Sequence, residues 1–138
     1  MKRIMGVDYG DARTGIALSD LLCTIVGSTE VIHSKGREKT IQRICELVRL
    51  HDVGQIVVGL PKNMDGSEGA SADKIRAFAE LLRPLTDAEI VFLDERVSTM
   101  AAHRILNMTD TRGQKRKDVV DTLSAEIILQ NYLDKNSI

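Results

Sequence analysis

Carboxylates stand at three separated places in this sequence: Asp8 closes the apolar run "IMGVD", Asp94 and Glu95 close "EIVFLDE", and Asp118 and Asp121 open "DVVDTLSAEIILQ". A carboxylate ending a buried strand needs hydrogen bonds to satisfy it or a ligand that wants negative charge. Asp118 reads as a first-turn residue that complements a helix dipole. Asp121 reads differently, because Val120, Leu123, Ala125, Ile127 and Ile128 surround it and an unpaired carboxylate among them is costly. Carboxylates brought together repel, and a divalent cation between them keeps them all ionised. Hard oxygen ligands suit Mg²⁺ or Mn²⁺. Two such ions about 3.5–4 Å apart can activate a water and stabilise the leaving oxygen in an in-line attack on a phosphodiester.

Other residues suit the phosphates of such a substrate. "PKNMDGSEG", residues 61–69, is a glycine-containing loop whose backbone N–H groups can approach a phosphate beside Lys62 and Asn63. Arg112, Lys115, Arg116 and Lys117 form a basic cluster just before Asp121, suited to gripping the strand being cut. Gly6 and Gly10 are expected to keep space for metal and phosphate around Asp8.

The elements that must position these groups follow from periodicity. Residues 4–8, 14–19 and 29–33 read as three strands joined by short polar or glycine-bearing turns, hence antiparallel neighbours. Residues 37–50 carry Ile41, Ile44, Cys45, Leu47 and Val48 at helical spacing, and "QIVVGLP" from Gln55 is a buried strand. A helix over 71–83 ends at Pro84, and "EIVFLDER" is a second buried strand. Ser98 or Thr99 can cap a short helix carrying Ala101, Ala102, Ile105 and Leu106. "MTDTRGQKRK" reads as a basic loop, and 118–133 as the last amphipathic helix. Right-handed crossovers then give an α/β fold with a five-stranded mixed sheet in the order 3-2-1-4-5, flanked by helices. Asp8 ends its central strand.

The chain of 138 residues fits one domain, 1–138, and 43% hydrophobic with 28% charged residues is a globular balance. A net charge of -1 argues against a general polyanion binder, so affinity for nucleic acid must come from local patches. Aromatics at 3% leave little for base stacking. His33, His51 and His103 are scattered, and Cys23 and Cys45 form no C-x-x-C pair, so no zinc site is expected. The thiols read as reduced in a cytosolic protein, with no signal peptide and no membrane span.

"MGVDYGDARTGIALSD", "IVVGLPKNMDGSEG", "FLDERVST" and "KRKDVVDTLSAEIILQNYL" together resemble the four signature blocks of the YqgF family, the pre-16S rRNA nucleases also called RuvX or Holliday-junction-resolvase-like proteins. The resemblance spans nearly the whole chain in the right order. It implies a ribonuclease H-like fold and a bacterial cytoplasmic hydrolase, a Mg²⁺- or Mn²⁺-dependent nuclease in ribosome biogenesis. It also implies that Asp8, Glu95 and Asp121 are the catalytic, metal-holding acids, with Arg96 in the same Asp-Glu-Arg block contacting nucleic acid. The implied partner is nucleic acid, precursor rRNA or structured DNA, and the implied state a monomer or weak homodimer. Junction resolvases place an acid near the end of the fourth strand, where this sequence has Val58-Gly59-Leu60. A longer Glu95 arm reaching over the bare Gly59 would shift the site by one strand.

Two other readings compete. The Asp8 motif also resembles the first phosphate-binding loop of the actin, Hsp70 and sugar-kinase superfamily, but those proteins close two such domains round the nucleotide. A non-catalytic nucleic-acid-binding module would keep the fold without turnover.

Overall fold

Alternate residues of the first strand, β1 (Arg3–Asp8), meet different helices, and this division organises the molecule. The computed structural model describes residues 2–62, 65, 67–94 and 113–136, with 113–121 and 136 described by their backbone. After β1 come β2 (Arg13–Ser19), β3 (Val26–His33), α1 (Arg37–His51), β4 (Val53–Leu60), α2 (Ala70–Leu82), β5 (Glu89–Asp94) and α3 (Gly113–Asn136). The sheet order is β3-β2-β1-β4-β5, as the periodicity predicts. β1 pairs antiparallel with β2 and parallel with β4; β2–β3 is antiparallel and β4–β5 parallel.

Met5 and Val7 project to one face, where Ile16, Leu18, Ile56, Val58 and Leu60 join Ile41, Ile44 and Leu47 of α1 and Ile75, Phe78 and Leu82 of α2 in one core. The opposite face carries Ala17, with Ile4 packed beside it, against Ala125, Leu129 and Leu133 of α3. Those three recur every four residues and make one stripe along the helix. β4 lies between both layers, with Ile56, Val57 and Val58 all fully buried, which explains its unbroken apolar run. Among the described residues no helix is long and apolar enough to cross a membrane.

Several boundaries depart from expectation, three of them for a local reason. β3 starts at Val26, because the ladder with β2 continues through Leu18↔Ser28 and Ser19↔Val26 across an irregularity. α2 stops at Leu82, and a 3-10 turn, Arg83–Leu85, carries the chain through Pro84. α3 begins at Gly113, so Lys115, Arg116 and Lys117 lie in helix rather than loop. Gln, Lys and Arg are good helix formers, and nothing between Gly113 and Asp118 interrupts them. The short helix expected over residues 101–106 lies outside the described residues.

Candidate active site

Asp8 ends β1 opposite Gly15 of β2. On its other side the β1–β4 register, continued one residue beyond Val7↔Val58, sets Gly59 next to Asp8. Gly59 in turn pairs with Leu93 of β5. Neither strand beside Asp8 therefore contributes a side chain at this row, over a width of about 4.8 Å on each side.

β1 and α3 run in opposite senses where they touch. Gln55, in register with Ile4, accepts a hydrogen bond at its Oε1 from the Tyr132 hydroxyl at 3.2 Å. Two residues further along β1, a Cβ on Gly6 would stand 2.8 Å from Leu129 Cβ and 2.9 Å from the Ala125 carbonyl oxygen. Two more residues along the strand, about 6.7 Å, is Asp8. One turn back along α3 from Ala125, about 6 Å, is position 121. The backbone thus brings positions 8 and 121 to the same end of the strand–helix contact. Three residues on from 121, Ser124 is fully buried and its Oγ has no hydrogen-bond partner among the described residues.

The remaining acids separate. Asp94 pairs with Leu60, whose side chain belongs to the α1/α2 core, so by strand alternation Asp94 lies on the opposite face from Asp8 and is exposed. Sharing an edge is not sharing a face. Glu95 and Arg96 lie outside the described residues, and the side chains of Asp118 and Asp121 are likewise outside them. Of the three predicted metal-holding acids, only the Asp8 side chain is described. Among the described residues no three His, Cys, Asp or Glu side chains cluster in a way that could hold an ion. The donor chemistry at Asp8, a carboxylate with glycine on both flanks, suits a hard cation.

Neither Gly6 nor Gly10 has the role expected of it. Gly6 does not keep space for metal or phosphate, because α3 occupies the place of its missing side chain. Gly10 is required by the turn after β1, where a Cβ would collide with the Arg13 carbonyl oxygen. The bare flanks of Asp8 are Gly15 and Gly59.

Lys62 follows Pro61 at the end of β4, half-buried, while Asn63 lies outside the described residues. Later in that loop Asp65 Oδ1 accepts hydrogen bonds from the Ser67 N–H at 2.9 Å and the Ser67 hydroxyl at 2.7 Å. Glu68 takes two hydrogen bonds from the Arg76 guanidinium, both 2.8 Å, which hold its carboxyl below the usual range. Arg76 also lies 5.1 Å from the Phe92 ring centre, so the end of the loop is tied to α2 and β5. Arg112 lies outside the described residues, and Lys115, Arg116 and Lys117 are described by backbone only.

Sequence reading misses a second basic group at this edge. Tyr9, Asp11, Lys35, Arg37 and Lys74 line a cavity of about 280 Å³. Lys74 Nζ lies 3.1 Å from Asp11 Oδ2. The Tyr9 ring stacks on Phe78 with centres 4.2 Å apart, and burial pushes its phenol above the ordinary value despite Arg37 and Lys74 nearby. No charge run marks this group in the sequence. Its one signal is that every member adjoins the carboxyl end of a strand or the start of the helix that follows.

This topology is shared with solved structures. RuvC of T. thermophilus in complex with a Holliday junction substrate superposes with a TM-score of 0.63 at 11% identity, covering 98% of this chain and 95% of that one. The fowlpox virus resolvase in complex with substrate Holliday junction DNA gives 0.60 at 8% identity, covering 96% and 97%. At such identities the likeness is one of fold, and that fold is ribonuclease H-like. The model of the family described as "RuvX: Holliday junction resolvase" matches residues 2–135, and this chain belongs to that family. A relative from Halothermothrix orenii is 46% identical over 132 residues, covering 96% of this chain and 94% of its own length. One from Clostridioides difficile is 44% identical with the same coverage. Both carry the name "Putative pre-16S rRNA nuclease".

Proposed function

We propose that this chain is a nuclease of one domain, 1–138, that hydrolyses phosphodiester bonds with Mg²⁺ or Mn²⁺ and processes the 5′ end of precursor 16S rRNA in the cytoplasm. The observation that carries the reading is the approach of positions 8 and 121 at one end of the β1–α3 contact, with Gly15 and Gly59 flanking Asp8. Asp8, Glu95 and Asp121 would hold the divalent cation, which when bound lowers the pKa of a water and stabilises the leaving oxygen. Asp8 would supply an anionic anchor at the end of β1, in a row where neither neighbouring strand adds a side chain. Lys62, Asn63, Arg96, Arg112, Lys115, Arg116 and Lys117 would neutralise flanking phosphates and set the strand's register. The names of the relatives favour RNA.

Cleavage assays with Mg²⁺ or Mn²⁺ on single-stranded RNA, precursor rRNA ends and four-way DNA junctions test the reading. Metal-dependent cutting of precursor ends is expected. The family's description favours a second reading as a junction resolvase, which preferential cutting of four-way DNA would select. Binding without cleavage of any of the three, with either metal, would return the chain to a non-catalytic module.

A further inference from the structure

We propose that the cavity lined by Tyr9, Asp11, Lys35, Arg37 and Lys74 binds a phosphodiester of the RNA strand next to the bond that is cut. This rests on the nuclease reading above. Five residues from three segments converge here: the turn after β1, the chain leading from β3 into α1, and α2. All lie outside the carboxyl ends of β1, β3 and β4, the edge where open α/β sheets bind ligands.

Three cations face one space with a single carboxylate among them. Lys74 is paired with Asp11 at 3.1 Å, while Lys35 and Arg37 have no ion-pair partner among the described residues. Cations gathered round a cavity repel one another, and a bound anion relieves that repulsion. The cavity also adjoins the start of α1, where Gly36 offers no side-chain cap, so the positive end of the helix dipole adds to the field. About 280 Å³ holds a phosphate group with ordered water round it. The Phe78 ring holds Tyr9 by stacking, and Tyr9 forms part of the cavity wall.

Tyr9 follows Asp8 directly, with Cα atoms about 3.8 Å apart. A strand crossing the turn after β1 would therefore meet Asp8 on one side of the sheet edge and this cavity on the other. Charges this close to the site help fix the register of the strand as well as attract it.

The test is fluorescence anisotropy of the full chain with a labelled single-stranded RNA, without divalent metal so that nothing is cut, over a series of salt concentrations. In Lys35→Gln/Arg37→Gln/Lys74→Gln the dependence of log affinity on log salt should flatten by about 0.7, the share of one phosphate on a single strand. A control triple, Arg49→Gln/Arg83→Gln/Lys135→Gln, removes the same charge from the other end of the molecule and should leave that slope near wild type. Asp11→Asn, which deletes the one anion in the wall, should bind RNA more tightly at low salt, a gain no loss of packing produces. An unchanged slope in the first triple with its fold intact by circular dichroism, an equal drop in the control, or no binding by wild type overturns the cavity's assignment. Should the first triple lose binding while wild type cuts no substrate with either metal, the cavity stands as an RNA site and the nuclease reading falls. Should wild type cut RNA while the triple binds unchanged, the reverse holds.

Discussion

Gly6 and Leu129 are packed backbone to side chain: a Cβ added to Gly6 would lie 2.8 Å from Leu129 Cβ, with the Ala125 carbonyl oxygen at 2.9 Å. The carbonyl belongs to the helix itself and cannot swing away. Gly6→Ala therefore has to push α3 from the sheet, and should cost about 1–3 kcal/mol of stability, read as a lower midpoint in urea. Position 121 rides on the same helix, so metal-dependent cleavage per folded molecule should fall as well. A variant as stable as wild type would show that this contact is looser than described.

The edge strand β3 is fastened to α1 by Glu30 and Arg43, whose two hydrogen bonds are both 2.8 Å. Arg43 holds the Glu30 carboxyl below its ordinary value of 4.5. A depressed carboxylate contributes stability that is fully present above that ordinary value and is lost as pH falls through the lower folded one. Both side chains are about a third exposed (39% and 34%), so solvent screening keeps the pair's contribution small. Arg43→Gln should be less stable than wild type at pH 7, and the gap should close as the solution is made more acid than the carboxylate range. A gap independent of pH would assign the loss to packing.

Ser124 buries a hydroxyl that has no partner among the described residues. Removing such a group relieves its desolvation, so Ser124→Ala should be neutral or stabilising by up to about 1 kcal/mol, measured by thermal unfolding. A loss of stability would reveal a hydrogen bond to that hydroxyl.

Much of this fold is legible in the sequence because periodicity and connection length report it directly. Three strands with short turns force antiparallel pairing, and helices between the later strands force parallel crossovers. Other features depend on tertiary packing. Gly6 serves helix approach and Gly10 serves a turn, yet in sequence either looks like room left for a ligand. Asp94 and Asp8 share an edge, but only the register of β4 with β5, Leu60↔Asp94, reveals that they lie on different faces. Gly113 looks like a breaker and instead begins α3. The cavity beside Tyr9 draws on residues 9–74 in three separate pieces, which no local pattern links.

In the nuclease proposed above, Asp8 closes β1 in order to hold a catalytic cation. Asp8→Asn preserves size and much of the hydrogen bonding while removing the charge. Unfolding and Mn²⁺-dependent phosphodiester cleavage should be measured on one preparation of this variant, with Glu95→Gln and Asp121→Asn alongside. Folded proteins without cleavage are expected, and an Asp8→Asn at least as stable as wild type in metal-free buffer, because repulsion among the acids falls. Three folded variants that cut at the wild-type rate would contradict this role of Asp8, as would an Asp8→Asn that loses stability while each folded molecule keeps its activity.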